Sequence, residues 1–212
     1  MTDGVTVQPE SAPRGRPRSE KARKAILAAT AELLLEHGLS AVSMDAVADG
    51  AGVSKATIYR WWPTKETLAL DALYTEWAAA APDPRDTGSL RGDLIALLQP
   101  WATLVSRRPY ARVIAALLAE ARTDPVFAAE YQRRVVQPRR DQAREILHRA
   151  VERGEVPADI RAEVAIDMIY GPLYLRLLQG HAPLTDRFVS DVVEMTLSGI
   201  QRAQPDQDSF GR

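Results

Sequence analysis

Hydrophobic residues recur at helical spacing along most of the chain, and no segment alternates apolar and polar residues convincingly as a strand does. In residues 19–37, for example, Ile26, Ala29, Leu33 and Leu34 keep to one side of a helix. Capping residues, glycines and prolines punctuate similar segments further along and bring the predicted total to about nine helices. The pattern therefore predicts an all-α fold.

The segment Ser43–Trp62, SMDAVADGAGVSKATIYRWW, predicts two short helices joined by a tight turn. Ser43 and Ser54 are hydroxyl N-caps, and Gly50-Ala51-Gly52 permits the left-handed backbone of a sharp turn. Pro63 ends the second helix. Two short capped helices around a glycine turn fit a helix-turn-helix motif.

The periodicity of the second helix separates an inner side from an outer side. Ile58 and Trp62 lie one turn apart, and with Val47 and Val53 they are expected to form a small core. The outward side chains offer what DNA contacts need, namely room for close approach, hydroxyl groups and a bidentate guanidinium. These outward residues are Ala56, Thr57, Tyr59 and Arg60.

The segment Gly52–Leu68, GVSKATIYRWWPTKETL, closely resembles the DNA-binding signature of the tetracycline-repressor (TetR) family of bacterial regulators. Ala25–Ala48, AILAATAELLLEHGLSAVSMDAVA, is similar to the family's preceding stretch, and Trp62 stands where the family usually has phenylalanine. The resemblance covers about residues 19–75. It implies a dimeric, sequence-specific transcription regulator, most often a repressor that a small molecule releases from a palindromic operator.

The motif also assigns candidate DNA contacts. We expect Thr57 and Arg60 to contact base edges, which carry the sequence information. Four residues are predicted to contact phosphates: Ser43, Tyr59, Trp61 and Lys65. Ser54, Lys55 and Ala56 complete the predicted interface at the start of the second helix.

The charge distribution supports an interface near the N-terminus. The net charge is −1, but residues 14–24 hold six Lys or Arg and one Glu, and all four lysines lie in the first 65 residues. Arg14, Arg16 and Arg18 alternate with glycine and proline, so they predict an extended arm that adds affinity in the minor groove. The alternative interpretation of this arm is a solvated tail.

Composition and helix breaks divide the chain into four parts. We predict a disordered basic arm over residues 1–18, the DNA-binding domain over 19–80 with its helix-turn-helix at 43–62, a helical regulatory and dimerisation domain over 81–204, and a tail over 205–212. In the third part, proline predicts a kink at Pro100 and another near Pro138. Gly171-Pro172 predicts an interruption of the helix over 162–179.

The last two helices, 162–179 and 185–203, are apolar nearly all round and therefore need more than one neighbour. The family resemblance implies that they form a dimer interface as a four-helix bundle, although they would otherwise be the subunit's own core. The predicted interface residues are Leu173, Leu177, Phe188, Val192, Met195 and Ile200.

The resemblance also implies a small-molecule pocket in the C-terminal domain. Aromatic residues and a methionine are expected to line it, although core packing explains each of them as well. The candidates are Trp101, Tyr110, Phe127, Tyr131, Met168, Tyr170 and Tyr174.

Other function classes find little support. The chain has no cysteine, no Walker, G-x-S-x-G or H-E-x-x-H motif, and no apolar run of eighteen residues. Glu145 and His148 are one helical turn apart, but a di-iron site needs a second such pair and two further carboxylates. We therefore predict a cytoplasmic protein that is not an enzyme and has no cofactor or metal. The alternatives are an architectural DNA-binding protein without a ligand, or a small-molecule-binding protein or enzyme with a vestigial DNA-binding end.

Overall fold

All regular structure in the described residues, 16–80 and 85–202 of a computed structural model, is helical, which confirms the all-α prediction. The helices are α1 (Arg16–His37), α2 (Met44–Ala51), α3 (Lys55–Tyr59), α4 (Lys65–Ala80), α5 (Leu90–Val105), α6 (Arg108–Thr123), α7 (Pro125–Tyr131), α8 (Gln137–Glu152), α9 (Ala162–Gln179) and α10 (Asp186–Arg202). A π-helical segment, Gln132–Val136, joins α7 to α8. Counted with α7 and α8 as one long helix, the described residues hold nine helices.

The N-terminal helices form a small domain around α1, which packs against α2 and α4. Ile26 and Leu34 of α1 meet Val47, Ile58 and Trp62 in its core, and all five are buried. The predicted partners Val47, Ile58 and Trp62 are therefore confirmed as core residues. Val53, the fourth predicted member, is half-buried at the edge of this core.

Two helix boundaries in this domain differ from the prediction. α1 begins at Arg16 rather than at Ser19, because Pro17 is compatible with the first turn of a helix. α3 ends at Tyr59 rather than near Trp62. Pro63 disfavours helical backbone at the residue before it, and the amides of Trp61 and Trp62 both donate to the Ile58 carbonyl in a tightened last turn.

Prolines inside the C-terminal helices act differently from one another. α5 continues through Pro100, and α9 continues through Gly171-Pro172, so the predicted interruption of α9 is wrong. The kink predicted near Pro138 takes the form of the π-helical segment. In a regular α-helix Pro138 would leave the Arg134 carbonyl without its N–H donor, and its ring would collide with that carbonyl. The wider π turn before Pro138 avoids this arrangement.

The two parts of the chain meet where α4 contacts α5 and α7 and where α1 contacts α6. In the C-terminal part, α10 packs on α5 and α9, and α9 packs on α6 and α8. One continuous set of buried apolar side chains runs through both parts. The DNA-binding end is thus connected to the C-terminal helices by packed side chains.

Candidate nucleic-acid interface and effector cavity

The caps of α2 and α3 fix the geometry of the helix-turn-helix. The Ser43 hydroxyl accepts from the Ala46 amide at 3.1 Å, and the Ser54 hydroxyl accepts from the Thr57 amide at 3.3 Å. Gly52 adopts a left-handed conformation, with φ of 63°, that turns the chain out of α2. A Cβ on Gly50 would lie 3.3 Å from that of Ala29, so glycine also allows α2 to approach α1 closely.

The exposed side of α3, together with its C-cap Arg60, carries four of the twelve predicted DNA contacts. Ile58 faces the core, whereas the side chains of Lys55, Ala56, Tyr59 and Arg60 face solvent. Thr57 is half-buried, and its hydroxyl lies 3.0 Å from that of Ser54. Thr57 is therefore less accessible than its predicted role as a base contact assumed.

Charges on the surface of the motif are partly paired. The Lys55 ammonium lies 2.8 Å from the Asp45 carboxylate on α2, and this hydrogen bond and charge raise the pKa of Lys55. Sequence spacing did not reveal this pair, since Lys55 and Asp45 lie on different helices. The Arg60 guanidinium, in contrast, lies 5.8 Å from the centre of the Trp61 ring, where a cation–π interaction orients it.

The remaining predicted contacts surround α3. Ser43 is exposed, while Trp61 is half-buried with its ring edge-on to Trp62 at 5.5 Å. Lys65 opens α4 and is half-buried, and its ammonium lies 4.0 Å from the Glu66 carboxylate.

The basic arm lies partly outside the described residues. Arg14 is among the residues that are not described. The backbone of Arg16 and Arg18 belongs to the first turn of α1, so these two residues are helical rather than extended as predicted. The predicted tail at 205–212 and the predicted domain boundary at residue 81 also lie outside the described residues.

Trp62 makes a polar contact that phenylalanine could not make. Its indole Nε1 donates to the Asp71 carboxylate of α4 at 2.7 Å. The same carboxylate pairs with the Arg134 guanidinium, which lies in the π-helical segment. The C-terminal end of the helix-turn-helix is thus joined through Asp71 to the C-terminal domain.

A cavity of ≈ 330 Å³ lies against that π-helical segment. Residues of α6, α7, α8 and α9 complete its wall. The lining residues are Leu118, Tyr131, Val136, Arg139, Arg140, Asp167, Tyr170, Gly171 and Tyr174.

The cavity includes three of the seven predicted wall residues: Tyr131, Tyr170 and Tyr174. Trp101 lies behind the wall, with its ring centre 5.3 Å from that of Tyr174. Phe127, which packs on Tyr131, and Tyr110 are buried without lining the cavity. Met168 points away, because a residue two positions from Tyr170 lies on another side of α9, and it is 45% exposed.

Sequence analysis missed the charged members of the wall, Arg139, Arg140 and Asp167. Their positions in the sequence did not predict a place in the cavity, because charged residues on a helix usually lie on its solvated side. Arg140 donates to Asp167 at 2.6 Å and also pairs with Glu163 outside the cavity. Burial raises the pKa of Tyr170 to about 12, so its hydroxyl is neutral near pH 7.

The predicted dimer residues fall into two groups. Leu173, Leu177 and Val192 are buried within the subunit, which leaves them little or no surface to offer a partner, and their place in a dimer interface stays a prediction. Phe188 and Ile200 are half-buried, and Met195 is 76% exposed. The exposed large apolar side chains of α9 and α10 form what we call the apolar face: Val164, Met168, Leu175, Leu178 and Met195.

Other candidate chemistry is not assembled. Glu145 and His148 are exposed, and they lie 3.7 Å from Arg149 and Glu152, respectively. Within residues 16–80 and 85–202 no group of three or more potential metal ligands occurs. No helix in the same ranges is long and apolar enough to span a membrane.

Comparison with known proteins places this architecture. The family model described as bacterial regulatory proteins, tetR family, matches residues 26–72, and the model of the tetracyclin repressor-like C-terminal domain matches residues 84–196. The chain belongs to the TetR family. Both the DNA-binding end and the C-terminal helices of this TetR-family protein are thus accounted for by family models.

Individual relatives agree with this assignment. The protein is 40% identical to the HTH-type transcriptional regulator YdeS of Bacillus subtilis (strain 168), over 89% of this chain and 94% of YdeS. It is 33% identical to the DNA-binding transcriptional repressor TetR of Mycobacteroides abscessus, over 85% of this chain and 94% of that protein. The crystal structure of the TetR family transcription regulator SCO0332 superposes with a TM-score of 0.72 at 36% identity, covering 85% of this chain and 98% of SCO0332. This TetR-family protein is therefore a DNA-binding transcriptional regulator and not an enzyme.

Proposed function

We propose that this protein is a ligand-responsive repressor whose two subunits place their α3 helices in successive major grooves of a palindromic operator. The observation that carries the proposal is the capped α3 helix, whose solvent side presents Lys55, Ala56, Tyr59 and Arg60. Two such helices about 34–36 Å apart would match one turn of DNA. The similarity to a protein named as a transcriptional repressor supports repression as the sign of regulation.

Within this proposal the exposed residues divide into two roles. Arg60 contacts a base edge with its guanidinium fork, and Thr57 contributes its methyl group or hydroxyl. The phosphate contacts are Ser43, Ser54, Lys55, Tyr59, Trp61 and Lys65, and Arg14, Arg16 and Arg18 add affinity from the N-terminal end. Ala56 leaves room for the backbone to approach the groove. Lys55 exchanges its carboxylate partner Asp45 for a phosphate when DNA binds.

The apolar face of α9 and α10 supports a homodimer. Five large apolar side chains are exposed there, and two exposed glycines, Gly171 and Gly199, leave room for a second chain to approach closely. An isologous dimer places this face of each subunit on the same face of its partner. Dimerisation in this way fixes the distance between the two α3 helices.

The cavity supports control by a small molecule. A ligand there can release DNA only if it binds more tightly to a conformation whose α3 spacing does not fit the operator. The cavity adjoins the π-helical segment, and Arg134 of that segment pairs with Asp71 beside the helix-turn-helix. Ligand binding and DNA binding are therefore expected to compete.

Fluorescence anisotropy tests the proposal directly. The full-length protein is titrated on its own upstream intergenic DNA and on scrambled DNA of equal length, at about 150 mM salt. A preference of about a thousandfold or more establishes sequence-specific binding. Equal, salt-sensitive binding to both indicates an architectural protein or an operator elsewhere. A selection from random DNA sequences would distinguish the two, because only a protein with an operator enriches a preferred sequence. No binding to either DNA by folded protein would refute the proposal.

A further inference from the structure

The wall of the cavity is largely apolar and holds one cation, Arg139, that no carboxylate in the described part of the chain balances. Arg140 is neutralised by Asp167 and Glu163, whereas no carboxylate of the described residues lies within 4.0 Å of the Arg139 guanidinium. Arg139 is half-buried, and its guanidinium donates to the Tyr174 hydroxyl at 2.7 Å. A guanidinium has five N–H donors and no acceptor, so most of its donors remain available.

Aromatic rings hold this guanidinium in a fixed place. Its central carbon lies 4.3 Å from the centre of the Trp77 ring and 5.0 Å from that of Trp101. The faces of the rings attract the cation, but they do not replace a hydrogen-bond acceptor for its N–H groups. The indole nitrogens of Trp77 and Trp101 are themselves buried without a hydrogen-bond partner among the described residues. The surroundings of Arg139 are thus rich in donors and poor in acceptors.

The Tyr131 hydroxyl is a second polar group at the cavity. It is buried at the wall beside the Tyr174 hydroxyl, and it makes no hydrogen bond of 3.5 Å or less within the described residues. Burial, with a smaller contribution from Tyr174, raises the pKa of Tyr131, so the group keeps its proton and is able to donate. The Tyr174 oxygen accepts from Arg139, and its hydroxyl also carries a proton. A buried polar group without a partner is costly, and a ligand acceptor would remove that cost.

We infer that the cavity binds an apolar monocarboxylate, with the carboxylate on Arg139 and Tyr131 and the apolar body against Leu118, Val136 and Tyr170. A carboxylate is the acceptor that matches a guanidinium fork, and one negative charge balances the one unpaired cation. The cavity volume of ≈ 330 Å³ is at the small end of the range for ligand pockets, so the apolar body of the ligand is expected to be small. This inference rests on the proposed function, since it names the class of effector for the same cavity.

Isothermal titration calorimetry on the full-length protein tests the ligand class. The probes are 2-naphthoate, 4-phenylbutyrate and decanoate, each compared with its uncharged primary amide. At least one carboxylate is expected to bind with saturation, and to bind at least about tenfold more tightly than its amide. Equal affinity for acid and amide, or no saturable binding of any carboxylate up to about 1 mM, would overturn the inference.

Variants test the residue that makes the distinction. Arg139→Gln is expected to weaken carboxylate binding by about tenfold to a hundredfold and to leave amide binding nearly unchanged. Tyr131→Phe, which removes only a hydroxyl, should produce a smaller loss of the same selectivity. Arg112→Gln, an exposed arginine of α6 outside the cavity, is the matched control. If Arg139→Gln loses affinity for acid and amide equally while retaining its helical circular dichroism, Arg139 shapes the cavity and does not select charge.

The anisotropy assay separates this inference from the proposed function. Carboxylate binding that depends on Arg139 but does not release DNA would support the ligand class and refute ligand-responsive repression. Release of DNA by an amide as effective as its acid would support ligand-responsive repression and refute the ligand class.

Discussion

We expect single side chains at α3 and its C-cap to decide which DNA sequence the protein prefers. Arg60 is exposed, and its position over the Trp61 ring leaves the edge of the guanidinium free. We expect Arg60→Ala to weaken operator binding by about 1–3 kcal/mol and to relax the preference for sequence, because a bidentate base contact is lost. Anisotropy titrations on operator and scrambled DNA measure both effects.

The matched control for this prediction is Arg122→Ala, which removes an exposed arginine from the last turn of α6, away from the motif and from the apolar face. It should leave both titrations unchanged. An equal loss of affinity on operator and scrambled DNA after Arg60→Ala would assign Arg60 to the phosphate backbone instead.

Residue roles were predictable where helical periodicity alone determines them. Ile58 had to face inward and Arg60 outward, because 3.6-residue periodicity fixes the two sides of α3. The contact between Lys55 and Asp45, and the place of Arg139 in the cavity, depend on how separate helices meet. The residue pattern of a single helix does not show how it packs against another helix. The Lys55–Asp45 contact and the position of Arg139 therefore became visible only in the structure.

At the scale of elements, a buried carboxylate attaches the start of α5 to the end of α8. Asp93 is fully buried and accepts from the amide and hydroxyl of Thr87 at 2.6 and 2.7 Å. Arg149 and Arg153 of the α8 end lie 3.5 and 3.2 Å from its other oxygen. Burial alone would raise the pKa of Asp93, but the hydrogen bonds of Thr87 and Arg153 outweigh it and lower this pKa.

The lowered pKa predicts a pH-dependent contribution to stability. The Asp93 carboxylate stabilises the fold at pH values above its unfolded pKa of about 3.9, and this contribution is lost as the pH falls through the lower folded pKa. Asp93→Asn should cost about 1.5–3 kcal/mol at pH 7, since it removes hydrogen bonds to a charged acceptor. Urea unfolding at pH 7 and near pH 3.5 should show the difference from wild type shrinking at the lower pH.

Asp191→Asn is the control for Asp93, because Asp191 is exposed and lies 3.9 Å from Arg187. Exposed pairs contribute little, so its stability should follow wild type at both pH values. A pH-independent cost of Asp93→Asn would mean that shape, rather than charge, matters at this site.

Element ends show where sequence rules succeed and fail. Ser43 and Ser54 begin helices as expected, because a hydroxyl N-cap acts on amides only two or three residues away. Pro138 and Pro172 both sit in helical surroundings, yet one adjoins a π turn and the other an unbroken helix. The outcome depends on tertiary packing around each proline, which lies beyond a local rule.

At the scale of the whole molecule, the apolar face predicts the assembly. We expect Met195→Glu to weaken the dimer, because it places a charge in a face that a partner would cover. Light scattering after size exclusion should show a shift from dimer to monomer on dilution, together with weaker operator binding.

Val126→Glu is a stringent control for Met195→Glu. Both residues are 76% exposed, but Val126 lies on α7 rather than on the apolar face. If the two variants change dimerisation and operator binding equally, α10 is not part of the dimer interface.

Asp71 connects the helix-turn-helix to the C-terminal domain. Arg134 stands between Tyr131 and Val136 of the cavity wall in sequence, and its guanidinium pairs with Asp71, which also accepts from Trp62. A ligand that moves the π-helical segment would therefore act on the end of the helix-turn-helix. We expect Arg134→Gln to retain operator binding but to reduce ligand-induced release, since coupling between sites is a separable free energy of about 1–3 kcal/mol.

The neighbouring residue supplies the test of specificity. Arg133 is exposed and pairs with Glu130, so Arg133→Gln changes the same helix and the same charge without touching Asp71. Release is measured by anisotropy as a carboxylate probe that binds is added to each protein–operator complex. If Arg133→Gln reduces release as much as Arg134→Gln, the coupling runs through the net charge of the segment. A loss confined to Arg134→Gln, reproduced by Trp62→Phe, places it in the contact of Arg134, Asp71 and Trp62.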